Sequence, residues 1–110
     1  CSESIGNRQY SGIGGQTDTV LGALMSPNGR SVIALLSTTK DEKISKITPF
    51  LTEGAAVTLS RNDVDYIVTE YGVAKMRGMS IAERAENLIN IAHPKFREEL
   101  KASAEKLHIW

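Results

Sequence analysis

With 110 residues, the chain has room for one small domain and a modest core. Lys and Arg together number 13, as do Asp and Glu, so the formal net charge is zero and nothing favours a nucleic-acid or anionic-membrane partner. Apolar residues make up 41% and charged residues 24%, an ordinary balance for a globular domain, and no apolar run approaches the roughly 20 residues of a membrane span.

The chain opens Cys1-Ser2-Glu3-Ser4, without Met, a basic cluster or an apolar stretch, so it reads as a fragment with no signal peptide. The single Cys excludes an intrachain disulfide and makes a reducing cytoplasm the expected compartment. Cys1 itself reads as a strand residue at a cut end rather than a nucleophile. Residues 1–10 carry little pattern beyond a short strand.

Ser11-Gly12-Ile13-Gly14-Gly15-Gln16-Thr17-Asp18-Thr19 is the most informative stretch. Three glycines in four residues permit φ > 0 and let a ligand reach the backbone. The helix behind them starts with free N–H groups and the positive end of a dipole, which suits an anionic or thioester-bearing ligand. Thr17 stands where the dinucleotide fingerprint needs its third glycine, and no Gly-Lys-Ser/Thr closes a P-loop. By itself the signal is weak, since such a turn is more often structural than functional.

Val20, Leu21, Leu24 and Met25 share one helical face, which predicts a helix over Thr17–Met25 with Thr17 or Asp18 as its cap. Ser26-Pro27-Asn28-Gly29 is a turn. The near-continuous apolar run 31–37 suits a strand buried on both faces, and 38–43 is a polar loop. Strands are expected at 44–51, ending at an edge because of Pro49, and at 57–60 and 64–69, with Arg61-Asn62-Asp63 as a tight connection. Gly72–Met76 reads as a short helix stopped at Gly78. Ser80-Ile81-Ala82-Glu83 is a capping box, after which Ile81, Ala85, Leu88, Ile89 and Ala92 line one face. Pro94 opens a last helix with Phe96, Leu100, Ala104 and Leu107 inward and Lys95, Arg97, Glu98, Glu99 and Lys101 toward water. The order predicts a single α/β domain with an open mixed or parallel sheet flanked by helices.

Few side chains stand out chemically. His93, before Pro94, reads as a cap or packing residue, because no second His or Cys lies at ligand spacing; His108 is expected in solvent and no metal is expected. Ser11 lacks the context of a hydrolase nucleophile. Glu70 stands where a strand ends and a helix is expected, and either a cleft-facing role or a helix N-terminal acid fits. Lys40 follows the most apolar strand, where it is either a ligand contact or a solvated loop lysine. Arg77 could equally be structural.

Taken together, Ser11–Thr19, Ile44-Ser-Lys-Ile47, Val64–Ala74, Arg77-Gly78, Glu83-Arg-Ala85 and Ile91-Ala-His-Pro-Lys-Phe-Arg97 are specific where each alone is not. In this order and spacing the chain resembles the C-terminal domain of the acetyl-CoA hydrolase/transferase family, in particular its 4-hydroxybutyrate CoA-transferase members. The resemblance implies an open α/β fold built of two related halves and coenzyme A transfer between short-chain or hydroxyacyl groups and acetate-like carboxylic acids. It implies a glutamate nucleophile that forms a glutamyl-CoA thioester and lies upstream of residues 1–110, so no catalytic residue is assigned here and the isolated domain is expected to be inert. Ser11, Gly14, Gly15 and Lys40 fall at CoA-binding positions by the same resemblance. The Gly15 N–H has the place of an oxyanion donor, and Ser11 departs from relatives that carry Asn, which weakens its contact. Implied partners are acyl-CoA, the carboxylic acid, the N-terminal half of the same enzyme and, in full length, a second copy. Acetyl-CoA hydrolysis and a non-catalytic binding or assembly module are the alternatives.

Overall fold

The two most β-rich runs of the sequence pair with each other. In the computed structural model, which describes residues 3–109, β3 (Val32–Ala34) lies parallel to β4 (Tyr66–Thr69), with Ile33 opposite Ile67 and Ala34 opposite Val68. Glu70 and Tyr71 then turn the chain into β5 (Gly72–Lys75), antiparallel to β4 with Thr69 opposite Gly72. The result is an open mixed sheet in the order β3-β4-β5. Earlier in the chain, β1 (Ser4–Ile5) and β2 (Arg8–Gln9) form a small hairpin, followed by α1 (Gln16–Met25).

Side chains alternate across a sheet, so Ile33, Ile67 and Ala74 share one face. That face receives α2 (Ile81–Asn90), and α3 (Pro94–Lys106) packs against α2. Ala74, Met76, Ile89, Ile91, Ala92, Leu100 and Ala104, with Ile47 from the long connection, form the buried apolar cluster. The Ser80 hydroxyl accepts from the Glu83 N–H and the Glu83 carboxylate accepts from the Ser80 N–H, the expected capping box. Pro94 occupies the first turn of α3, and the His93 imidazole caps that helix by accepting from the Lys95 N–H at 3.1 Å. Asn87 Nδ2 donates to the Lys75 carbonyl at 2.8 Å, tying α2 to β5. The fold is α/β, as the residue pattern predicts.

Several expectations need correction. Gly72–Met76 is not a helix: β4 ends in a two-residue turn, and Gly72, at φ 145°, starts a strand whose Ala74 is buried against the helices. Residues 44–51 and 57–60 form no strand. The first region makes one antiparallel bridge, Thr38 to Ser45, and then bends as the Thr48 hydroxyl donates to the Phe50 carbonyl. In the second, the Ser60 carbonyl accepts from Asp63 and Val64 and closes a turn. Both are apolar enough for strands but lack a neighbouring strand to pair with among the described residues. The run at 31–37 contributes only three strand residues and is not buried on both faces, since Val32 and Leu36 are 57% and 60% exposed on a sheet that carries helices on the other side. Neither Thr17 nor Asp18 caps α1. The helix starts at Gln16, so both lie inside its first turn and Gly15 is the N-cap without a side-chain bond. Of the α1 apolar face, Val20 is buried, while Leu21 and Met25 are exposed. Ile81 is also exposed. Arg97 and Lys101 are half-buried rather than fully solvated, Arg97 because its Nε donates to the Ala92 carbonyl. Cys1 lies outside the described residues.

Candidate functional site

Ser11, Gly12, Ile13, Gly14, Gly15, Gln16 and Thr19 surround a cleft of about 460 Å³, with Glu3 on its rim. The β1–β2 hairpin brings Glu3 there: its carbonyl accepts from the N–H groups of Tyr10 and Ser11. Its carboxylate accepts from the Thr58 hydroxyl and from Gln9 Nε2, and these bonds, the Thr58 one foremost, hold it below the usual carboxylate range. Glu3 is a site neighbour that sequence patterning missed, because the hairpin that places it spans only two residues per strand.

The glycines of the turn differ in what demands them. Gly14 adopts φ 62°, a conformation that L side chains rarely take. Gly12 and Gly15 have no such φ, and a Cβ on either would touch nothing within 4 Å. At Gly29, by contrast, a Cβ would stand 1.9 Å from the Ala23 carbonyl oxygen, so this chain's own packing requires that glycine. The open space at Gly12 and Gly15 suits an approaching ligand. The first α1 bond runs from the Thr19 N–H to the Gly15 carbonyl at 3.0 Å, which leaves the preceding amides of the first turn without a helical acceptor. Asp18 in that turn complements the dipole. Gln16 Oε1 is buried beside the cleft with no donor to it among the described residues. The Ser11 hydroxyl donates to the Gly12 carbonyl at 3.1 Å and is exposed.

Lys40 is exposed on the loop after β3 and is not among the residues that line the glycine cleft. The cleft thus gathers Ser11, Gly14 and Gly15 and does not include Lys40. Glu70 caps no helix, because none begins there. Its carboxylate accepts from the Ser37 hydroxyl at 2.5 Å and from the Ser37 N–H at 3.0 Å. The Ser37 hydroxyl first, then Glu70's own amide, hold that carboxyl below the usual range. His93 packs edge-on against Tyr71 and Phe96, and its Nε2 lies 3.7 Å from a Glu42 carboxylate oxygen. Among the described residues, no three His, Cys, Asp or Glu side chains gather as a metal site, and no helix is long and apolar enough to cross a membrane.

Residues 1–104 match the model of the acetyl-CoA hydrolase/transferase C-terminal domain. The chain belongs to that family. It is 58% identical over 106 residues to the 4-hydroxybutyrate coenzyme A transferase of Clostridium kluyveri, covering 96% of this chain and 25% of that protein. It is 55% identical over 108 residues to the succinyl-CoA:cyclohexane-1-carboxylate CoA transferase of Geobacter metallireducens, covering 98% and 25%. Among solved structures, RipA from Yersinia pestis superposes with a TM-score of 0.90 at 45% identity, covering 99% of this chain and 24% of that one. The chain therefore spans about a quarter of the length of the relatives it matches. Other family members are named for transfer between other acids and CoA, and some as acetyl-CoA hydrolases. A CoA thioester is the substrate type that these names share.

Proposed function

We propose that this domain supplies part of the CoA site of a cytoplasmic CoA-transferase acting on short-chain acyl or hydroxyacyl groups such as 4-hydroxybutyrate. The observation that carries the proposal is the glycine turn at the start of α1, where Gly12 and Gly15 are open to a ligand although neither backbone angle nor packing in this chain requires glycine. In the proposed reaction, a glutamate carboxylate from the rest of the enzyme attacks the thioester carbonyl. The C–S bond breaks, CoA leaves as thiolate, and an acyl-glutamyl anhydride forms; the thiolate then attacks the glutamyl carbonyl, giving the glutamyl-CoA thioester and releasing the first acid. The acceptor carboxylate runs the same steps in reverse. The Gly15 N–H donates to the oxyanion that develops at the carbonyl, Gly14 sets the turn, and Ser11 and Lys40 contact CoA, Lys40 through a phosphate or pantetheine oxygen.

The uncovered outer face of the sheet supports the larger context. Val32 and Val73 on that face are exposed, as are Leu36, Phe50 and Val57 elsewhere on the surface, and the remaining three-quarters of a family-length enzyme is the partner that would cover them. The isolated domain is inert on this reading, and the complete enzyme is a homo-oligomer. Gly15→Ala in the full-length enzyme lowers kcat/KM roughly tenfold or more, since the added Cβ obstructs the thioester; unchanged kinetics would remove Gly15 from the mechanism. The relatives named acetyl-CoA hydrolase favour a second reading, in which water resolves the glutamyl thioester. Turnover of acetyl-CoA that requires an acceptor acid supports transfer, and equal turnover without one supports hydrolysis.

A further inference from the structure

The loop that carries Lys40 is closed on itself and tied down from outside. At its base the Ser37 carbonyl accepts from the Lys46 N–H at 2.8 Å, and the Thr39 N–H donates to the Ile44 carbonyl at 2.9 Å. At its tip the Asp41 carboxylate accepts from the Thr39 hydroxyl at 2.6 Å and from the Lys43 N–H at 3.2 Å. Glu42 takes φ 58° while its N–H donates to the Thr39 carbonyl at 2.8 Å. Among the described residues, the Lys40 ammonium has no hydrogen-bond or ion-pair partner. The loop is ordered around a cation that takes no part in the ordering.

Two elements distant in sequence hold the loop. Lys95 Nζ donates to the Glu42 carbonyl at 3.2 Å at the tip. At the base, the Glu70 carboxylate receives both the N–H and the hydroxyl of Ser37, which is completely buried. Glu70 is itself well placed for this task. The neighbouring Thr69 hydroxyl donates to the Ile91 carbonyl at 2.6 Å and accepts from the Tyr71 N–H at 3.1 Å, which fixes the β4–β5 turn against the helices.

We propose that Glu70 is a positioning residue for Lys40: its carboxylate clamps Ser37 and fixes the direction in which the loop offers the ammonium to an acyl-CoA. The inference rests on the proposed role of Lys40 as a CoA contact. A loop ordered before binding loses less conformational freedom when the ligand arrives, so the clamp acts on CoA affinity and leaves the carboxylic acid's binding alone.

The test is a double-mutant cycle in the full-length enzyme that carries this domain, with steady-state kinetics for both substrates. Lys40→Ala raises the KM for acyl-CoA roughly tenfold and Glu70→Ala roughly fivefold, with the acid KM unchanged, and the double variant is no worse than Lys40→Ala alone. Glu70→Gln, which keeps one acceptor oxygen, falls between wild type and Glu70→Ala. If Glu70→Ala multiplies the KM of the Lys40→Ala enzyme by the same factor as it does that of the wild type, Glu70 does not act through Lys40 and the inference fails alone. If Lys40→Ala leaves the acyl-CoA KM unchanged, the role of Lys40 fails and the inference goes with it. Should Glu70→Ala not fold, Ser37→Ala breaks the 2.5 Å bond from the other side and takes its place in the same cycle, where non-additivity with Lys40→Ala supports the clamp and additivity overturns it.

Discussion

Residues 47–104 supply every member of the buried apolar cluster, whereas residues 11–25 bury only Val20 and leave Ser11 to Gly15 open to solvent. The first region is a scaffold whose side chains satisfy one another: a capping box, a capping imidazole, and a hairpin pinned to the α2–α3 junction. The second spends its sequence on backbone shape. Its glycines leave space and its helix leaves amides unpaired, and neither choice stabilises this domain. The contrast separates residues that the fold requires from residues, Gly12 and Gly15 among them, that it leaves unconstrained.

Substitutions on either side test this division. Leu100→Ala, in the cluster, should cost about 3 kcal/mol in urea unfolding of the domain, through lost burial and the cavity left behind. A loss under about 1 kcal/mol would mean that the cluster is not the stabilising core. Gly14→Ala should cost about 1–2 kcal/mol because of its left-handed φ, while Gly12→Ala should stay within about 0.5 kcal/mol. Equal losses at the two glycines would end the distinction between a backbone need and an open approach. On the scaffold's surface, Ser80→Ala should cost about 1 kcal/mol at neutral pH by removing the cap of α2. Its partner Glu83 adds a pH signature. The Ser80 N–H, then the Ser80 hydroxyl, hold the Glu83 carboxyl below its ordinary value of 4.5. Its contribution is therefore complete above that value and fades as pH falls through the lowered one. The acid limb of the stability profile should flatten in Glu83→Gln, and an unchanged limb would mean that the Glu83–Ser80 bond contributes nothing in solution.

The sequence made the scaffold's helices legible because their signals are local. Ser80 and Glu83, or His93 and Pro94, meet within one turn of chain. Gly72–Lys75 was unreadable as a strand because its state depends on pairing with β4 and on burial of Ala74 under α2. The apolar residues at 44–51 and 57–60 carry strand composition without strand partners, and composition alone cannot supply a neighbour. In the candidate site, the glycine turn could be read directly, and the resemblance drew Lys40 beside it. Glu3 and Ser37 could not be found that way. Each acts through a contact spanning more than 30 residues, Glu3 with Thr58 and Ser37 with Glu70, and no local pattern announces either.

The parallel pairing of β3 with β4 carries a consequence for how the chain is made. Residues 35–65 separate the two strands, so β3 leaves the ribosome well before its only strand partner among the described residues exists. Until then Val32, Ile33 and Ala34 are an apolar segment with no strand to pair with, the kind of transient exposure that makes a folding chain prone to aggregate. The β4–β5 turn and the two helices that follow have local contacts and can assemble first, offering β3 a finished template. Loop closure over so long a stretch makes the docking of β3 a late step in folding.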